Sequence, residues 1–365
     1  MKNRGFIERF NAKGVGGWIK TPEGGPSKVL VRINGDNYEC VASIVRADLE
    51  GFGRGFSMSL PGKYLGEAYL TIEVFDESGL SLFNSPVKAV ISEEEKNKVL
   101  FGNFGWLFLK NDSNRSLDYL TGKIKSPENL CDLWERLCVS RKEKADKLGA
   151  DLVTLVAPEK EVCCQCYLPE GYVISDSRPL RLLTNHFYDK REIKFCVPDF
   201  SGIEEGDLYF KGDTHWTFYA AYLAFLEVLK VSSLSEVVSV SGYEEFKHKN
   251  SYQASDLLVK TDAVNIEKIK HVSISGQRYI EVYNNKKVNT GRRQEYLNTS
   301  PSNFRVMVWH SSSMDWMKPF VIDAFKNSCF VWGQRIDWDE VARYSPDLLI
   351  VQTRERFIVD VPSDF

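Results

Sequence analysis

Near residue 100 the sequence stops reading as strands alone and begins to alternate strands with helices. Before that point, short runs place apolar and polar side chains in turn: VLVRI (29–33), ECVASIV (39–45) and YLTIEVF (69–75). Turn-forming Pro-Glu-Gly-Gly (22–25), Asn-Gly-Asp (34–36) and Gly-Phe-Gly-Arg-Gly (51–55) separate them. A period of two puts one face of each run on a core, and no 3.6-residue period interrupts it. Residues 1–92 therefore predict a small all-β sandwich domain. The charged run Ser92-Glu-Glu-Glu-Lys-Asn-Lys98 marks the linker, and 97–365 is expected to form an α/β domain.

In that second part, Ser126-Pro127-Glu128 opens a helix with a hydroxyl cap and proline at the first helical position. Leu130, Leu133, Trp134 and Leu137 follow at helical spacing, and Gly149 closes it. Strands are expected at 151–158, 194–200, 305–310, 328–332 and 347–352, with helices at 178–188, 216–230, 311–325 and 336–346. Strands alternating with helices imply a parallel sheet covered on both faces. The block 232–300 is polar and shows neither period.

Composition removes several functional classes. Hydrophobic residues make up 43% of the 365, with 22 Phe, 16 Tyr and 8 Trp, enough to order a large core. The 47 Lys+Arg against 50 Asp+Glu leave a charge of −3, without the basic excess of a nucleic-acid binder. No run approaches the ~18 apolar residues that span a bilayer. No apolar leader follows MKNRGFIERFNAK, so a cytoplasmic protein is expected. Eight cysteines then read as reduced thiols. Cys163, Cys164 and Cys166 crowd together without the paired spacing of a zinc site, so no metal is expected. A redox or metal role for that cluster stays open.

Active residues of such sheets sit in loops at the carboxyl ends of strands, and two loops stand out. Ser311-Ser312-Ser313 lies at the turn from an apolar strand into a helix, where a serine hydroxyl projects off the sheet. Amide groups at the helix start can there meet an oxyanion. The plainer reading is that these serines cap the helix. Tyr209-Phe-Lys-Gly-Asp213-Thr214-His215-Trp216 precedes another helix. Asp213 and His215, two apart on an extended loop, point the same way, and such a pair supplies the base and orienting carboxylate that a serine nucleophile lacks.

These segments together resemble the SGNH-hydrolase-like domain of alginate O-acetyltransferases. The resemblance covers about residues 100–365. It rests on Gly105-Trp106-Leu107-Phe108, Val156-Ala157-Pro158-Glu159-Lys160, Asp213-Thr214-His215-Trp216, Ser345-Pro346-Asp347 and Arg354-Glu355-Arg356-Phe357. It implies an SGNH-like sheet flanked by helices and transfer of acetyl groups to sugar hydroxyls by a Ser-His-Asp triad. His215 matches the base, Asp213 its carboxylate and, seven residues before Pro319-Phe320, Ser312 the nucleophile. The family's serine motif is Asp-Ser-Phe, so Ser311 replaces an aspartate, and Ser311 and Ser313 stay open as alternatives. Trp216, Lys211, Tyr209 and Arg356 are assigned to substrate on the same motifs. Gly16-Gly17-Trp18-Ile19 and Gly55-Phe56-Ser57 are similar to β-sandwich modules attached to bacterial polysaccharide enzymes.

The expected function is O-acetylation of a bacterial polysaccharide, such as a capsule, or of its lipid-linked precursor. Family members take acetyl groups through a membrane partner. A cytoplasmic version would bind no resident cofactor and draw on acetyl-CoA, with Gly291-Arg292-Arg293 the nearest phosphate contact. A carbohydrate acetylesterase of the same fold and a non-catalytic glycan-binding scaffold, working with polysaccharide-assembly partners, are the alternatives. The serine at 311 favours the last.

Overall fold

The computed structural model describes the chain except residues 1–4, 12, 22–23, 50–52, 65–66, 91, 262–265, 277, 300–301 and 365. Pro22-Glu23 and Gly51-Phe52, parts of two expected turns, lie outside the described residues. The chain divides into two compact units. One comprises residues 1–110, 211–214 and 251–269; the other comprises 111–210, 215–250 and 270–365.

The first unit is built on strands β1 (Gly5–Asn11), β2 (Gly14–Lys20), β3 (Ser27–Ile33), β4 (Asp36–Ala42), β5 (Ile44–Val45), β6 (Gly53–Ser59), β7 (Tyr69–Asp76) and β8 (Val87–Val90). They form two antiparallel sheets, ordered β1-β2-β6-β5 and β4-β3-β7-β8. Alternation works as expected: Val29, Val31 and Ile33 of β3 and Leu70, Ile72 and Val74 of β7 are fully buried in one core with Ile7, Phe10, Val15 and Phe56. Asn34 and Gly35 take positive φ values of 48° and 95° in the β3–β4 hairpin, the conformation a two-residue Asn-Gly turn requires. At Gly17 in β2 a side chain is excluded, since a Cβ would stand 2.0 Å from the Phe6 carbonyl oxygen.

This unit runs past the separation expected at 92–97. A hairpin of β9 (Val99–Phe101) and β10 (Leu107–Leu109) follows, and Val99, Leu107 and Leu109 bury themselves with Leu257. That contact draws residues 99–110 and 251–269 into the first unit.

The second unit carries a seven-stranded sheet. Its strands are β11 (Asp151–Ala157), β12 (Phe195–Cys196), β15 (Tyr279–Asn284), β16 (Arg293–Asn298), β17 (Arg305–His310), β18 (Asn327–Trp332) and β19 (Leu348–Arg354), in the order β12-β11-β19-β17-β18-β16-β15. Two further strands, β13 (Lys247–Ala254) and β14 (Ile266–Ser273), pair with each other, and their residues 251–254 and 266–269 belong to the first unit. The five strands from β12 to β18 run parallel, each an apolar run as burial on both faces demands. The parallel sheet expected is extended at one edge by antiparallel β16 and β15. Every residue of β15 before Asn284 is exposed, so the block 232–300 held strands without a buried periodicity.

The principal helices are α1 (Leu130–Lys147), α2 (Pro179–Phe187), α3 (Phe218–Val231), α4 (Met314–Ala324) and α5 (Trp338–Tyr344). On α1, Leu130, Trp134 and Cys138 pack with Leu180, Leu183 and Phe187 of α2 around Val156. Val341 and Tyr344 of α5 cover Met307, Trp309, Leu349 and Val351. Alternate residues of those strands face the other way, where Lys318 of α4 lies over the Phe330 ring. Among the described residues, no helix is long and apolar enough to cross a membrane.

Candidate active site

Strand β17 ends at His310 in the middle of the parallel sheet, and three serines turn the chain into α4. Ser313 occupies the N-cap position with φ −61° and ψ −22° and makes no side-chain capping bond. Helix α3, by contrast, is capped by Thr217, which accepts from the Ala220 amide. The capping explanation of the serine run therefore does not hold for Ser313.

Ser312 is the serine that meets His215: its Oγ lies 2.7 Å from His215 Nε2. Ser311 points elsewhere, its N–H and its hydroxyl both donating to Gln352 Oε1 at 3.0 Å. His215 is held by a tight loop, closed by a bridge between Tyr209 and Trp216 and by the Phe210 N–H donating to the His215 carbonyl. The indole of Trp316 stacks on the imidazole, centroids 4.3 Å apart. Trp316 lies in the first turn of α4, four residues after Ser312. Gln352 had a weak signal, as the polar residue within the apolar run DLLIVQ.

Asp213 belongs to the 211–214 segment of the first unit, buried, with Oδ2 accepting the Asp256 N–H at 3.0 Å. Thr214 beside it donates its N–H to Asp256 Oδ1 at 2.7 Å. Lys211 has an exposed side chain, while its N–H is held by Glu267 Oε1 at 2.7 Å.

Of the other three residues expected at substrate, Trp216 and Tyr209 are buried and Arg356 is half-buried. Trp216 is 1% exposed and donates its indole N–H to the Ser313 carbonyl at 2.8 Å. Tyr209 is 2% exposed and its hydroxyl donates to the Pro158 carbonyl. Arg356 grips Glu159, donating from Nε to Oε1 at 2.9 Å and from a second nitrogen to Oε2. An aromatic or arginine beside such a loop suggests a sugar contact; here Trp216 and Tyr209 fasten the loop that carries His215, and Arg356 fastens Glu159. Arg292 and Arg293 are likewise engaged, with Asp315 and with Glu295 and Glu340. Those carboxylates compete with any phosphate for them.

Glu159 sits at the carboxyl end of β11, fully buried and facing Arg354 and Arg356 of β19 and the turn after it. Burial raises its carboxyl, but the two guanidinium groups outweigh that and hold it down at about 2. Burial, with Glu159 adding to it, pushes Glu161 up to about 7. Glu355, beside Arg178 at 3.0 Å, is also pushed up to about 7 by burial. Buried carboxylates so divided tie the ends of β11 and β19 together.

The eight cysteines are unpaired. Cys166 is exposed, and Cys164, buried, lies with its Sγ 3.4 Å from the Glu205 carbonyl.

The family described as "SGNH hydrolase-like domain, acetyltransferase AlgX" matches residues 99–315, more than half of the chain. No curated protein sequence matches. The structure of Bacillus cereus PatB1 superposes with a TM-score of 0.52 at 12% identity, covering 72% of this chain and 99% of that one. The O-acetyltransferase domain of Pseudomonas putida AlgJ superposes with a TM-score of 0.46 at 15% identity, covering 73% and 93%. At these identities PatB1 speaks to the fold alone, and it agrees with the sheet described above. A family match across the loop carrying His215 and the turn carrying Ser312 says more: the chain belongs to the SGNH hydrolase-like acetyltransferase family typified by AlgX.

Proposed function

We propose that the protein is a carbohydrate O-acetyltransferase in which Ser312 carries the acetyl group, His215 moves the protons and Asp213 orients His215. The observation that carries this reading is the 2.7 Å contact between Ser312 Oγ and His215 Nε2. A serine hydroxyl is a weak nucleophile until an imidazole accepts its proton, and the contact is within the reach such a transfer needs.

The chemistry follows in two halves. Ser312 Oγ attacks the acetyl carbonyl while His215 Nε2 takes the hydroxyl proton. The resulting oxyanion lies at the positive end of the α4 dipole, where amide groups favour it. Collapse breaks the bond to the donor's leaving group, which takes the proton from His215. In the second half a sugar hydroxyl gives its proton to His215 and attacks the acetyl-serine, and Ser312 leaves with that proton returned. Acetyl-CoA is the donor we propose, its thiol being a good leaving group, and a polysaccharide or lipid-linked precursor the acceptor.

Incubation with p-nitrophenyl acetate, with and without glycan, tests the reading. Nitrophenol release that quickens with glycan and leaves an acetylated sugar is the expected result. Release indifferent to glycan would make the protein an acetylesterase. No acetyl on Ser312 by mass spectrometry, and no labelling by a fluorophosphonate, would remove the enzyme reading altogether.

A further inference from the structure

The turn that presents Ser312 lies outside the sheet ladder, so its backbone groups need partners from elsewhere. Three buried side chains supply them. Gln352, fully buried on β19, lies one residue beyond the last position that β19 pairs with β17, Trp309↔Val351, while its other edge pairs with Leu155 of β11. Its Oε1 accepts both the N–H and the hydroxyl of Ser311 at 3.0 Å, and its Nε2 donates to the Thr353 carbonyl at 2.8 Å, fixing the amide. His310 is fully buried, and its Nδ1 lies 2.7 Å from the Ser311 carbonyl. A carbonyl only accepts, so Nδ1 carries the proton. That leaves Nε2 a bare acceptor between Phe330 and Trp332, without a partner among the described residues. Trp216 closes the far side by donating to the Ser313 carbonyl at 2.8 Å.

We infer that Gln352, His310 and Trp216 are positioning residues that clamp the peptide groups on both sides of Ser312 and so aim its hydroxyl at His215. The inference rests on the proposed role of Ser312 and extends it to residues from two strands and a loop. It also gives Ser311 a task. Where the family carries an aspartate, this chain has a hydroxyl and an amide that share one glutamine oxygen, a bond that needs no charge in a buried place.

A misplacement on the order of 1 Å can lower a rate about 100-fold, so the clamp is tested on rate per competent site. The burst of nitrophenol from p-nitrophenyl acetate counts sites, and steady turnover divided by that count gives the rate of each. Gln352→Met keeps the volume and removes both acceptor and donor. It should lower the per-site rate and the fluorophosphonate labelling rate at least tenfold, with KM changed less than about threefold. A merely structural role would reduce the number of sites and leave the rate of each alone. Gln352→Met leaves buried partners unsatisfied and so risks unfolding. His310→Phe covers that case, because it keeps a ring between Phe330 and Trp332 while removing the Nδ1–H donor to the Ser311 carbonyl. It should lower the per-site rate about fivefold or more. Per-site rates within twofold of the parent in the folded variant would overturn the clamp. Failure of the parent protein itself to label at Ser312 would instead overturn the proposed function, and the clamp with it.

Discussion

The indole of Trp316 lies nearly parallel to the imidazole of His215, with 18° between the planes. Phe210 flanks the same indole at 6.1 Å. In the proposed reaction His215 passes a proton between Ser312 and a leaving group, which requires its ring plane to be held, and a flat aromatic neighbour holds it. Trp316→Ala should lower kcat with p-nitrophenyl acetate by about tenfold, in line with the value of positioning a catalytic group. Trp316→Phe, which restores a ring, should recover most of that. Equal activity of Trp316→Ala and the parent would show that the stacking has no part in the reaction.

Ser312→Ala and His215→Ala should each lower the acetylation rate by several orders of magnitude. The double variant should be little worse than either, because residues that act as a unit are not additive. Asp213→Asn should also cost heavily by freeing the imidazole tautomer. Steady-state rates on the four variants check this, and multiplying losses would mean that the two residues act separately.

The buried carboxylates give a pH dependence with a defined sign. Glu161 and Glu355 sit near 7 in the folded protein against an ordinary 4.5. The folded state therefore binds more protons than the unfolded state across that interval. Stability should fall as pH rises from about 4.5 to about 7, by up to about 1.4 kcal/mol per unit for each proton involved. Glu159, held down at about 2, acts oppositely: its contribution is present above 4.5 and is lost as pH falls towards 2. Urea melts between pH 5 and 7.5 should show the decline, and Glu161→Gln should flatten it. A slope unaffected by that substitution would place the effect in other groups.

Thiol chemistry should separate the cysteines by burial. Cys166, the exposed one, should react first with an aromatic disulfide reagent in native protein. Cys138, Cys196 and Cys329, whose thiols burial pushes up to about 11, 12 and 12, should wait for unfolding. Eight thiols should titrate after denaturation without reductant. A smaller number would reveal a disulfide.

Much of the second unit was legible because burial on both faces leaves an unmistakable apolar run, as in RVMVWH and DLLIVQ, which became β17 and β19. Strands β15 and β16 were not, because an exposed antiparallel edge such as YIEVYN needs no buried face and so carries no period. The pairing of Ser312 with His215 could be read from two short motifs, 97 residues apart. Its supports could not. Gln352 joins Ser311 across neighbouring strands, 41 residues further along the chain, and its one local sign, a polar residue closing an apolar run, does not name its partner. Tyr209 and Trp216 went the other way: their identity suggested sugar contacts, and only burial assigns them to holding the loop.

The first compact unit has a consequence for how the chain is made. Its body opens with residues 1–110 but also includes 211–214 and 251–269. Synthesis is vectorial, at about 5–20 residues per second, so the last of these pieces emerges about 160 residues, or roughly 8–30 s, after the first 110. Through that interval Val99, Leu107 and Leu109 wait for Leu257. The amino-terminal sheets end at Val90, but the unit they belong to is completed only with residue 269, when nearly three-quarters of the 365 residues exist. Nascent chains halted between residues 110 and 251 should thus be open to protease at the 99–109 hairpin, and chains halted well beyond 269 closed.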